Sequence, residues 1–371
     1  MHEKIRFGII GAGAIVRESH VPATKKLAEA ELVAICRRNK KKANELAREW
    51  QVNEVYYDYQ DLVKSKNIDA VIIATPNVYH RENVIAAAEE GKHVLCEKPM
   101  ATNLKDAKEM VKACRKNKVK LQIGFNQRFW NQVKIAKELI DEGTIGDIKA
   151  FSTTYREKWN LYPSDTDYLD HLGLSGGGCL IDLGIHRIDM ARFLAGEIKE
   201  VCAEIKHSVT PAKLDDNSWI LCNFFNGATG CISSDKFSPA APNETALYGT
   251  KGTIYLSTET FNPFQPVPLA IYTEEPAHEI PDIVLKYFYP TFLTDRPEKR
   301  WISIIPPKDD PYLAQLKAFC ESIIEDKEPP VTGIDGIKSL EVVLASYKSA
   351  KERKWVKLPL EEEAVEVPSF D

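Results

Sequence analysis

Ile5-Arg6-Phe7-Gly8-Ile9-Ile10-Gly11-Ala12-Gly13 is the stretch whose reading decides the fold. A short apolar run enters a glycine turn, and helical periodicity starts directly after it. Buried strand, glycine turn and helix form the context that a dinucleotide-binding fingerprint requires. Gly11 is read as the tight turn, and Gly13 as the point where backbone approaches a pyrophosphate at a helix N-terminus, flanked by Ala14 and Ile15. Val16 stands where the third small residue belongs. The turn alone is therefore a weak signal, and its surroundings must carry the case.

Outward from it, Leu32–Cys36, Ala70–Ala74, His93–Cys96 and Lys120–Gly124 read as further buried strands. Helices are expected over 40–50, over 79–90 with Gly91 just past the end, and over 103–117. Strands alternating with helices predict an α/β fold whose N-terminal part is a doubly wound parallel (Rossmann) sheet, binding ligands beyond the strand C-termini. At the end of the second strand an NAD-preferring site usually carries Asp or Glu. Arg37 and Arg38 stand there instead, with Lys40, Lys41 and Lys42 behind. A guanidinium can grip a 2′-phosphate that a carboxylate would repel, which favours NADP(H) over NAD(H). The alternative is a solvated helix start.

Phe125-Asn126-Gln127-Arg128-Phe129 marks the crossing out of a dinucleotide domain over 1–126. After a helix ending at Gly143, period-2 runs dominate: 148–156, 199–207, 217–225, 228–236, 244–249 and 252–257. Asn226-Gly227 and Lys251-Gly252 read as hairpin turns. These predict a C-terminal α+β domain over 127–358 with a large open, mainly antiparallel sheet, closed by helices over 311–326 and 333–351. An acidic tail follows over 359–371. Residues 262–311, rich in proline and aromatics, read as an excursion.

Gly176-Gly177-Gly178 lets backbone come close to something bulky. An amphipathic pattern then begins, and on a regular helix Asp182, His186 and Asp189 share a face. A carboxylate one turn from an imidazole can orient it and raise its basicity, as a general acid/base needs. The alternative is a histidine satisfied by its neighbour, without chemistry. Asp182, His186, Asp189 and His171 lack the spacing of a three-ligand metal site, so no metal is expected.

With 371 residues, 44% hydrophobic and 28% charged, the chain has material for two soluble domains. A net charge of −5 argues against a nucleic-acid partner. Eight cysteines without a Cys-x-x-Cys pair suit buried thiols in a reducing compartment. No signal peptide or membrane span is evident, and a cytoplasmic location is expected.

Ala74-Thr75-Pro76-Asn77-Val78-Tyr79-His80, then Gly91 to Pro99 with its Glu97-Lys98-Pro99, then the Asp182/His186 stretch occur in one order. In this the chain resembles the glucose–fructose oxidoreductase / inositol dehydrogenase (Gfo/Idh/MocA) family over most of residues 4–357. The resemblance implies an NAD(P)-dependent oxidoreductase interconverting a secondary alcohol and a ketone on a sugar or cyclitol. It implies a catalytic set of Lys98, Asp182 and His186, with Thr75, Pro76 and Asn77 along the nicotinamide and Glu97 near its ribose. His80 is either a ligand contact or a helix-start residue satisfied locally. Arg128 lies either near cofactor and substrate or in an interdomain ion pair. Residues 155–172 are expected to form the substrate wall, with Tyr155, Arg156, Trp159 and Tyr168 binding alongside Lys98, Asp182 and His186. Tyr168-Leu169 stands where many relatives carry Trp-Arg. The family also implies a homodimer or homotetramer through the C-terminal sheet. Two other functions fit the same motifs: a glycosidase or epimerase with internally recycled NAD(P), and a non-catalytic NADP(H) sensor.

Overall fold

The computed structural model describes residues 4–158, 167–239, 243–257, 267–274, 282–287, 301–308, 310–368 and 370. Among them the chain forms two sheets. The first contains β1 (Ile5–Ile10), β2 (Ala30–Cys36), β3 (Glu54–Tyr56), β4 (Ala70–Ile73), β5 (His93–Cys96) and β6 (Leu121–Ile123). All pair in parallel, in the order β3-β2-β1-β4-β5-β6. The continuous apolar runs of β1 and β4 follow from burial on both faces. Ile5, Phe7, Ile9, Ala70 and Ile72 enter one apolar cluster, while Ile10, Val71 and Ile73 enter another. β3 was not expected from the sequence. Its three half-buried residues sit at the sheet edge, too short and too polar to show a period.

The chain reverses its strand order between β1 and β4, which places a crevice beyond their C-terminal ends. Gly11 (φ +100°) turns there, and a Cβ on it would collide with the Ala74 carbonyl oxygen. Beyond Gly13 the backbone enters a π-turn at Val16–His20 before the α-helix Val21–Lys26.

The second sheet contains β7 (Ile148–Arg156), β8 (Ile198–Lys206), β9 (Asn217–Phe224), β10 (Thr229–Asp235), β11 (Glu244–Gly249), β12 (Gly252–Ser257), β13 (Leu269–Thr273), β14 (Trp301–Ile304) and β15 (Val356–Lys357). Their order is β14-β13-β12-β11-β7-β10-β9-β8-β15, antiparallel throughout except for the parallel β7/β10 pair. The two expected hairpins join β9 to β10 and β11 to β12. Helix Ile185–Ala195 and the turn before it back β7 and β10. Helix Pro311–Ile324 crosses back to the first sheet, where Phe319 closes on Phe7 at 6.3 Å between ring centroids. Much of the 262–311 excursion lies outside the described residues.

Candidate active site

β5 delivers Glu97 and Lys98 to the crevice, and the Gly176–Asp182 segment arrives from the second sheet's side. The three glycines are packing devices toward protein. Gly176 faces Thr102 and Gly177 faces the Tyr347 hydroxyl, while a Cβ on Gly178 would strike the Asp215 carbonyl oxygen. Asp215 locks the turn. Its carboxylate accepts from Gly178 N and Leu180 N at 2.8 Å each, and from the Tyr347 hydroxyl at 2.8 Å. The Asn77 side chain ties the same turn to the first sheet, donating to Ser175 O at 2.7 Å.

After that anchor the backbone makes a π-turn, Leu180–Gly184, and the α-helix starts only at Ile185. The wider turn breaks the i,i+4 register that the sequence suggested for Asp182 and His186. Asp182 instead lies between two ammonium groups. Lys98 Nζ donates to Asp182 Oδ1 at 2.9 Å and to the Asp182 carbonyl at 2.9 Å, and Lys236 Nζ donates to Oδ2 at 2.7 Å. Burial would push the Asp182 carboxyl up, but Lys236 and Lys98 outweigh it and hold it well below the carboxylate range. Burial likewise works against the Lys236 ammonium, and Asp182 raises it above its ordinary value.

His186 is 8% exposed, edge-on to Phe125 and Tyr155 with centroids 6.1 and 6.0 Å away. Its Nδ1 is buried with no hydrogen-bond partner among the described residues. Burial, reinforced by Lys98 and Arg187 and partly offset by Asp182, drives its pKa well below the ordinary imidazole value. The expected orientation of the imidazole by Asp182 is therefore corrected: both carboxylate oxygens go to lysines. Tyr168 is half-buried at the same cleft; burial, then the charges of Asp182 and Glu97, push its phenol up.

Glu97 Oε1 meets His20 Nε2 at 2.7 Å, deep beside the crevice, and its other oxygen accepts from Lys98 N at 3.2 Å. His80 Nδ1 and Nε2 face the carbonyls of Pro99 and Thr75 at 2.9 and 2.8 Å. It staples the ends of β4 and β5 together and is spent locally. Arg128 takes the second of its two readings, the ion pair, and not the cofactor contact. It grips Asp189 through Nε (2.7 Å) and Nη2 (2.6 Å) and reaches Asp335 at 2.9 Å. Asp189 thus faces away from the Asp182 cluster, and the arginine is an ion-pair hub between segments.

At the far end of the crevice, Arg37 Nη1 donates to Ala12 O at 3.1 Å, against the glycine turn. Arg38 stacks over the Tyr79 ring at 4.9 Å. Gly13 faces open space where a side chain would begin. A dinucleotide fits these features: an unobstructed glycine turn at β1, basic residues just past β2, and at the opposite end a buried imidazole whose Nδ1 has no partner among the described residues.

Residues 5–125 match the model of an oxidoreductase family with an NAD-binding Rossmann fold, and residues 133–255 match the Gfo/Idh/MocA C-terminal domain. The chain belongs to the Gfo/Idh/MocA oxidoreductase family. Myo-inositol 2-dehydrogenase of Thermotoga maritima is 31% identical, covering 95% of this chain and 98% of its own. The scyllo-inositol 2-dehydrogenase (NAD+) of Bacillus subtilis is 27% identical over 94% of this chain and 95% of its own. Among solved structures, levoglucosan dehydrogenase in complex with NADH and levoglucosan superposes with a TM-score of 0.82 at 26% identity, covering 96% of this chain and all of that one.

Of the residues singled out in sequence, the fold gathers Lys98, Asp182, His186, Tyr155, Tyr168 and Glu97 around one cleft. Arg156 pairs with Asp235 at 3.2 Å on the adjoining strand ends. Trp159 lies outside the described residues. Sequence reasoning missed Lys236, His20 and Asp215. Lys236 ends a period-2 run, and its one signal was a polar Ser233-Ser234-Asp235-Lys236 close to an otherwise apolar strand.

Proposed function

We propose that this family member interconverts a secondary alcohol and a ketone on a sugar or cyclitol, with NADP(H) preferred over NAD(H). The observation that carries the reaction is the buried, neutral-leaning His186 with an unpartnered Nδ1, beside an ammonium from the other sheet. A neutral imidazole can take the proton of a substrate hydroxyl, and the Lys98 ammonium stabilises the developing alkoxide. Asp182 keeps Lys98 aimed at the cleft. Phe125 and Tyr155 wall the imidazole from water, and Tyr155, Arg156 and Tyr168 offer polar and aromatic contacts to a polyhydroxylated ring. A bound nicotinamide supplies the two-electron step as hydride acceptor or donor.

Gly11, Gly13, Ala14 and Ile15 would hold the pyrophosphate end, with Thr75, Pro76 and Glu97 toward the nicotinamide. The NADP(H) preference rests on charge. Helix Lys40–Trp50 opens with three lysines and no acidic residue in its first turn. Cations at a helix N-terminus cost roughly 0.3–1 kcal/mol each, and a 2′-phosphate between them and Arg38 offsets that cost. Trp219, Leu221, Tyr248 and Trp301 are exposed on the second sheet, and supports here a sheet-to-sheet homodimer or homotetramer.

Fluorescence titration with NADPH against NADH tests the cofactor. A panel of myo-inositol, scyllo-inositol, levoglucosan and keto-sugars then tests the reaction. Net nicotinamide reduction with a polyol is the expected result. Product formation without net change, with cofactor retained through dialysis, would replace the dehydrogenase by an internally recycling enzyme.

A further inference from the structure

Nothing in the family motifs points to Lys236, yet it is 6% exposed at the end of β10 and in direct contact with the reaction centre. Its Nζ lies 2.7 Å from Asp182 Oδ2, opposite the 2.9 Å contact of Lys98 with Oδ1. One carboxylate thus bridges an ammonium from each sheet. We propose that Lys236 is a positioning residue of the reaction, acting through Asp182 on both Lys98 and His186. The inference rests on the oxidoreductase reading above.

Two consequences follow from the geometry. Lys236 fixes the Asp182 rotamer, so Lys98 meets a carboxylate already held at its far oxygen and is not drawn down into the bidentate position. Lys236 also cancels charge. The groups that act on His186 are Lys98 at the end of β5, Asp182 in the π-turn and Arg187 on its own helix, with the Phe125 and Tyr155 rings against the imidazole. With both lysines present, the single negative charge near His186 is more than balanced. Without Lys236 the Asp182 carboxylate loses the counter-ion on its Oδ2 and its negative charge acts more fully on His186, so the imidazolium becomes more favourable and the His186 pKa moves up.

The test compares Lys236→Met and Lys236→Arg with the unaltered protein. Titration of His186 by NMR on histidine-labelled protein, assigned by loss of its signal in His186→Asn, needs no substrate. Oxidation of the most active panel polyol, followed against pH, gives the second readout. Lys236→Met is expected to raise the His186 midpoint and the acid limb of kcat/KM together, to lower kcat by about tenfold or more while KM changes less, and to bind NADPH as before. Lys236→Arg is expected to restore the limb. A merely structural lysine would lower activity with the limb in place, and that result overturns the proposal; so does an Arg variant that behaves like Met. If Met is not accommodated in the buried site, Lys236→Gln removes the charge while keeping a donor for Oδ2, and the same shift is expected from it. Unchanged turnover in Lys236→Met beside lost turnover in Lys98→Met overturns this inference alone. Unchanged turnover in both strikes the underlying reading.

Discussion

Replacing Lys98 by methionine separates catalysis from stability, because the structure gives Asp182 a second counter-ion. At 2.9 Å and an effective dielectric near 20, the Lys98–Asp182 attraction is about 6 kcal/mol before desolvation is subtracted. Breaking a buried pair usually costs about 3–5 kcal/mol, most of it from the charge left unpaired. Here Lys236 still holds Oδ2 at 2.7 Å, so the loss should be smaller, about 1–2 kcal/mol. For a chain of this size that is a fall in Tm of a few degrees. In the proposed reaction, the ammonium's contribution to an alkoxide-like transition state has no such substitute. Removing a preorganised donor of that kind costs about 2.7–4 kcal/mol, or about 100- to 1000-fold in kcat. The assay is steady-state oxidation of a panel polyol by absorbance of reduced nicotinamide, with thermal melts and NADPH titration on the same preparations. Turnover within about threefold of the unaltered protein would refute the role given to Lys98.

Three further outcomes are expected. Because burial and Lys98 hold the His186 pKa down, its base form persists as pH falls, so the acid limb of kcat/KM for oxidation should lie below the free imidazole value near 6.5; a pH–rate profile with its limb above that value contradicts the assignment. Arg38→Asp should weaken NADPH binding by about 10- to 100-fold and leave NADH nearly unaffected, read by fluorescence titration. Arg128→Met leaves Asp189 buried without its bidentate partner and should cost about 3–5 kcal/mol, seen as a lower urea midpoint.

The Rossmann half was legible because parallel strands buried on both faces are written as unbroken apolar runs, and Gly11 and Gly91 punctuate them where φ is positive. β3 was not, since an edge strand of three half-buried residues leaves no period to read. The antiparallel half was legible through alternation in β7 to β12, whereas β13 to β15 are only five, four and two residues long. Within the candidate site, the motifs singled out Lys98, Asp182 and His186, and the fold brings them to one cleft, but their mutual arrangement was not legible. A regular helix puts Asp182 and His186 on one face, and the π-turn, held by Asp215 under the glycines, undoes that spacing. Lys236 is 54 residues from Asp182, and its pairing with Asp182 exists only once β10 is laid beside the turn.

The central claim is that one cleft, built from both sheets, removes hydride and proton from the same carbon–oxygen unit. Its most direct test is single-turnover oxidation of a polyol deuterated at the reacting carbon, in the unaltered protein and in His186→Asn. The account predicts reduced nicotinamide in amounts equal to ketone formed, slowed by deuterium, and nearly abolished in the variant. Ketone formed without reduced nicotinamide, or a His186→Asn variant that turns over at the original rate, would contradict it.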